Sequence, residues 1–173
     1  MTGRILRMHE TPHFDDVNLG LRLYELRRES EMRKARSMIG SHVWGKSTEE
    51  VLKVFDYDHE ENAHLRQVTS YWEMCASFVI RGVFHPAVYL DTCSEAIFTY
   101  TCFHPHLAAI RAERPAFLSR TEQLIQDIPA VREKFEQSLQ MFAAWQAKMA
   151  EQKAKRKPAS KKKTAKAKPG KRR

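Results

Sequence analysis

Apolar side chains recur at intervals of three and four residues through most of this 173-residue chain, while the strict alternation of a half-buried strand is scarce. Val17, Leu21 and Tyr24, continued by Ala35, Met38 and Ile39, mark the buried face of a first helix that Asp15 and Asp16 can cap. Leu19, Leu23 and Leu26 widen that face. Gly40 and the Trp44-Gly45 pair punctuate its end. Ser47 and Glu50 have capping-box spacing and open a short helix running to Phe55. A longer helix follows from about residue 60 to Gly82, with Leu65, Val68, Trp72, Ala76 and Val79 on one face. Over residues 71–80 it is apolar nearly all round, Glu73 excepted, which predicts the central helix of the domain. Pro86 stands at a first-turn position before a second such segment, residues 88–103. Pro105, Pro115 and Pro129 each mark a place where a helix can restart. The last helix repeats Ile128, Val131, Phe135, Ser138, Phe142, Trp145 and Met149. Its aromatic content favours docking of the first half, to about Ala144, on the body over a two-stranded coil. A monomer is therefore the favoured state, with a helical dimer through this last helix as the alternative. The pattern predicts an all-α fold: a compact bundle of six or seven helices.

Charge changes this picture at one end. Lys and Arg outnumber Asp and Glu by 30 to 21, yet residues 148–173 hold 13 of the bases and one acid, Glu151. That segment carries +12 and the rest of the chain −3, and all 17 aromatic residues lie in the rest. The pI near 9.6 thus describes a tail. Three parts are expected: a polar lead over residues 1–14, a helical domain over 15–147, and a Lys-rich tail over 148–173. The tail has like charges throughout and nothing to bury, so it is expected to be helical at its start and then disordered. The apolar run of residues 74–80 falls far short of the ~20 residues that a membrane-spanning helix needs. The first ten residues lack the apolar stretch of a secretory signal. Cys75, Cys93 and Cys102 sit in apolar surroundings without Cys-x-x-Cys spacing, which suits a reducing compartment, and a cytoplasmic location is expected.

Tyr71-Trp72-Glu73, then Gly82-Val83-Phe84, then a Tyr- and Phe-rich helix ending at His104-Pro105 and Ile110-Arg111 form a loose motif. Over roughly residues 60–120 the chain resembles a family of uncharacterised bacterial helical domains, one of the domains of unknown function. The resemblance implies an α-helical bacterial protein and brings no activity or catalytic residue with it. Some members of that family carry membrane helices, which this sequence lacks.

Candidate chemistry in the domain is sparse. His9-Glu10-Thr11-Pro12-His13 fits the H-E-x-x-H string, but Pro12 interrupts the helical turn that would bring both imidazoles to one metal. Glu61-x-x-His64 supplies one half of a di-iron pattern whose second half is missing, and His104 and His106 straddle Pro105 off any shared face. No metal, cofactor or catalytic residue is expected. Glu73 and Glu95, each in a strongly apolar helix, form a possible buried polar site, since such carboxylates must be paired or neutralised. Arg81, Arg111, Arg114 or Tyr100 are the expected partners. A structural role is the favoured reading of these two carboxylates: an ion pair, or for Glu73 an edge of the helix that meets solvent. A ligand or acid–base pocket between helices is the alternative.

The tail carries the strongest signal. Lys155, Arg156, Lys157, Lys161, Lys162, Lys163, Lys166, Lys168, Lys171, Arg172 and Arg173 are interspersed with Ala, Pro, Ser and Thr. The composition resembles the lysine-alanine-proline tails of linker histones. Such a run neutralises phosphates of DNA or RNA without reading sequence, and it offers no aromatic ring to stack on bases. Attraction to anionic lipid, or no specific partner, are the competing readings. The sequence therefore predicts a non-enzymatic helical binding module with a tail for non-specific nucleic-acid association. The alternative is a small-ligand sensor or enzyme built on Glu73 and Glu95.

Overall fold

The computed structural model describes residues 10–156, with side chains described as far as Gln152. The described residues are α-helical, without strands, and the chain divides into two units, Met1–Leu139 and Gln140–Arg173. Nine α-helices are present among the described residues. They are α1 (Phe14–Arg28), α2 (Ser30–Met38), α3 (Thr48–Lys53), α4 (Asn62–Ile80), α5 (Pro86–Cys93), α6 (Glu95–Phe103), α7 (Leu107–Glu113), α8 (Ser119–Asp127) and α9 (Pro129–Arg156). The all-α class stands, and the larger number arises because two stretches expected to be single helices are each divided.

The first division falls at Glu29, whose ψ of 147° takes the backbone out of the helix between α1 and α2. No glycine or proline marks the place. The freed Arg27 carbonyl accepts from Arg36 Nη1 at 3.4 Å, so a side chain of the next helix satisfies a group that a helix end leaves unpaired. The second division falls at Ser94, between α5 and α6. Other boundaries follow the sequence closely. Ser47 and Glu50 form the reciprocal capping box of α3, with Ser47 N–H donating to Glu50 Oε2 at 2.9 Å and Glu50 N–H to Ser47 Oγ at 3.2 Å. Gly82, with φ of 70°, follows α4, and Pro86 and Pro129 open α5 and α9. Pro115 opens nothing. Instead α8 starts after Leu118, which holds a left-handed φ of 53°.

The orientation of α1 reverses the expectation. Its buried residues are Asp16, Gly20 and Leu23, while Val17, Leu21 and Tyr24 face solvent. Gly20 lies on the face turned to α5. A Cβ there would meet Val88 Cγ1 and Thr92 Cγ2 of α5 at 3.4 Å, the near edge of ordinary contact, so the two helices pack closely at this point. Asp16 secures the same face. Its Oδ2 accepts from the His13 backbone at 2.7 Å, and its Oδ1 from the His85 backbone, ahead of α5, at 2.6 Å. Burial alone would raise the Asp16 pKa, but these two amide donors outweigh it and hold the carboxylate below its usual range.

The core of the first unit forms around α4, which packs against α2, α5 and α8 as expected of a central helix. Val68, Trp72, Cys75, Ala76 and Val79 are fully buried on it. Phe78, on the same helix, is only half-buried and packs against the core from its edge. From α9, Val131 is fully buried and Phe135 packs against the core edge. In the second unit α9 continues to Arg156, with the Phe142 and Trp145 rings 6.4 Å apart. The expected disorder of the tail concerns residues outside those described, apart from the helical start.

Candidate functional site

Glu73 projects from the middle of α4 to the first turn of α8. Its Oε2 accepts from the Arg120 backbone at 2.9 Å, and its Oε1 accepts from the Thr121 backbone at 2.9 Å and the Thr121 hydroxyl at 2.8 Å. Leu118, the N-cap residue of α8, has no side-chain acceptor to offer. A carboxylate from another helix therefore does what a capping Asp or Ser does elsewhere: it satisfies exposed amides and meets the positive end of the helix dipole.

Glu95 opens α6 and meets two arginines from the divided first helix. Arg36 donates through Nε to Oε1 at 2.7 Å and to Oε2 at 2.9 Å, with Nη2 also on Oε2, and Arg27 Nη1 lies 3.9 Å from Oε2. Arg27 also donates to the Thr92 carbonyl at 3.1 Å. The break at Glu29 is what lets both guanidinium groups converge on one carboxylate.

Glu73 and Glu95 share no partner in these contacts, and the side chains expected to meet them are engaged elsewhere. Arg111 donates to Glu122 Oε1 at 2.9 Å and to the Phe117 carbonyl, and Tyr100 donates to Glu122 Oε1 at 3.0 Å. Arg114 reaches Glu113 and the Phe55 carbonyl, and Arg81 donates to Ser77. Glu122 lies below its ordinary pKa, chiefly through the Arg111 hydrogen bond. Tyr100 lies above its own, through burial and the Glu122 charge. Sequence reasoning passed over Glu122, because a glutamate in a polar helix start carries no signal until its neighbours are known.

The histidine patterns separate in the same way. Residues 10–13 precede α1 in non-helical backbone, so the H-E-x-x-H string has no helix to stand on, and His9 lies outside the described residues. Glu61 and His64 do meet, with Nδ1 and Oε2 2.7 Å apart, and His64 Nε2 lies 3.9 Å from Glu31 Oε2. They line a surface groove of about 580 Å³ together with Ser30, Arg33, Lys34 and Ser37. Lys34 hydrogen-bonds Glu31 and holds that carboxylate below its usual pKa. The contacts of His64 run to carboxylates rather than to a hydroxyl, while Ser41, on the same groove, has its hydroxyl 2.9 Å from His42 Nδ1. His106 turns inward at the Pro105 turn, and its Nδ1 lies 2.9 Å from Thr48 Oγ1. Burial lowers its pKa, while His104 is exposed. Among the described residues no three His, Cys, Asp or Glu side chains gather as metal ligands. Cys75, Cys93 and Cys102 are free and buried as expected, and burial pushes the Cys102 thiol up to about 12.

The profile of a family described as Domain of unknown function (DUF4760) matches residues 12–128, more than half of the chain. The chain belongs to this family. The DUF4760 region is wider than the motif around Trp72 and His104 suggests, running from just before α1 to the end of α8. It therefore contains Glu73, Glu95 and the groove at His64. The basic run of residues 148–173 lies beyond it. No curated protein and no solved structure matches the chain. Within the DUF4760 region, each notable carboxylate has a structural partner. Among the described residues no helix is long and apolar enough to cross a membrane. Of the basic candidates, Lys155 and Arg156 fall in the last turn of α9, and Lys157, Lys161, Lys162, Lys163, Lys166, Lys168, Lys171, Arg172 and Arg173 lie outside the described residues.

Proposed function

We propose that this protein is a helical binding module that associates with nucleic acid without sequence preference through its basic C-terminal run. The observation that carries the reading is the partition of charge: +12 over residues 148–173 against −3 over the rest of the chain. A body of slightly negative charge has no general attraction for a polyanion. A run of cations releases counterions with every phosphate it neutralises. The run lies beyond the family region and contains no aromatic residue to stack on bases. Three free buried cysteines accord with a cytoplasmic location. A ligand or enzyme site at Glu73 and Glu95 draws no support from the geometry, because each carboxylate is already taken up by its own partners.

Two duplexes of unrelated sequence and equal length test the absence of base reading. The full chain is expected to shift both at the same protein concentration in an electrophoretic assay. A preference of more than about tenfold, the size of one good base contact, would contradict a phosphate-only mode.

A further inference from the structure

Cys75 on α4 and Cys93 on α5 are both buried, and their thiols hydrogen-bond each other where the two helices meet. The turn at Gly82 separates them in the chain, so the fold is what brings the two sulfurs together. Two small apolar residues would fill the same space, but only a pair of thiols can be joined. The surroundings of the two differ. The Thr92 hydroxyl lies 3.5 Å from Cys93 Sγ, and Arg27, which donates to the Thr92 carbonyl, stands on the same side. The Tyr71 hydroxyl stands by Cys75. The hydrogen bond from Cys75, helped by Thr92 and Arg27, outweighs burial and holds the Cys93 thiol below its ordinary pKa. The same hydrogen bond and burial hold Cys75 above. Thr92 and Arg27 are only half-buried, so Cys93 lies just beneath the surface. Cys102, on α6, has chiefly burial acting on its thiol.

We propose that Cys75 and Cys93 are the two halves of a reversible disulfide between α4 and α5, formed when a peroxide oxidises Cys93 and Cys75 resolves the product. The Cys93 thiolate attacks a peroxide oxygen, the O–O bond breaks, and hydroxide leaves a sulfenic acid on Cys93. The Cys75 sulfur then attacks the Cys93 sulfur. The S–O bond breaks as the S–S bond forms, and the Cys75 proton departs with the hydroxyl as water. In sum two thiols lose two electrons and two protons, and hydrogen peroxide is reduced to two waters. The Tyr89 hydroxyl, one turn before Cys93 on α5, is buried without a hydrogen-bond partner in the reduced protein, and a sulfenic oxygen would supply one. Free thiols as the resting state and a transient cross-link are what a reducing compartment allows. The proposal stands independently of the nucleic-acid reading.

The test exposes the reduced full chain to a modest excess of hydrogen peroxide while circular dichroism follows its helices, then denatures it in N-ethylmaleimide. Free thiols are expected to fall from three to one per chain, and dithiothreitol to restore all three. Tandem mass spectrometry of the unreduced digest is expected to place a cross-link, about 2 Da lighter than the two thiol peptides, between Cys75 and Cys93, with the maleimide on Cys102. The cross-linked chain is expected to unfold at higher urea than the reduced one. Cys102→Ser keeps the cross-link, and Cys93→Ser loses it. Three free thiols after exposure would overturn the proposal, as would a cross-link through Cys102, one between chains, or oxidation that dithiothreitol does not reverse. So would a cross-link that appears only once the helical signal has been lost.

Discussion

Between 50 and 200 mM salt, duplex binding by the full chain is expected to weaken by about 10³- to 10⁵-fold, the range for proteins that make six to ten phosphate contacts. The chain places 13 cations in residues 148–173, and steric limits leave part of them without a phosphate at any instant, so six to ten contacts is the proportionate number. The single acid, Glu151, offsets little of this charge. Fluorescence anisotropy of a labelled duplex at a series of salt concentrations reads the effect, with the logarithm of affinity falling linearly at a slope of about −5 to −9. A slope near −1 would mean that one or two ionic contacts suffice and that the binding has another source.

Trp72→Ala is expected to destabilise the first unit by about 3–5 kcal/mol, a large share of the ~5–15 kcal/mol by which a domain is stable. Trp72 is fully buried on α4, beside Val68, Cys75 and Ala76, and its ring meets Tyr71 edge-on with centres 4.7 Å apart. Its indole nitrogen has no hydrogen-bond partner, so truncation forfeits packing alone and leaves a cavity in the core around α4. Phe78→Ala serves as the internal comparison. That ring is half-buried at the core edge, and its loss is expected to cost clearly less. Urea unfolding of the two variants measures both, and equal costs would contradict the central position of Trp72.

The fold class, the central helix and the cap of α3 were legible in the sequence because each rests on local spacing. Trp72 and Val79 fall on one face of any helix drawn through them, and Ser47 and Glu50 face each other across a single turn. The buried face of α1 was not legible for an equally physical reason. Two apolar stripes run along that helix, and the buried one goes with contacts more than 60 positions away in sequence, from Asp16 to the His85 backbone and from Gly20 to α5. The partners of Glu95 were hidden by the break at Glu29, which no glycine or proline announces. A continuous first helix could not bring Arg27 and Arg36 together on Glu95. That Glu73 should cap α8 could not be read either, because the need arises from Leu118, a residue with no polar side chain to signal it. The basic run is legible by composition alone. Its charge is visible without any fold.

The central claim, that the basic run rather than the helical body engages nucleic acid, is tested most directly by comparing the full chain with one ending at Ala147. Both are titrated into the same labelled duplex at about 50 mM salt, and circular dichroism establishes that the shorter chain keeps its helices. The account predicts that the shorter chain, with a net charge of −3, binds at least about 100-fold more weakly or not at all. Affinity within a factor of about three of the full chain's would place the contact in the body and contradict the claim.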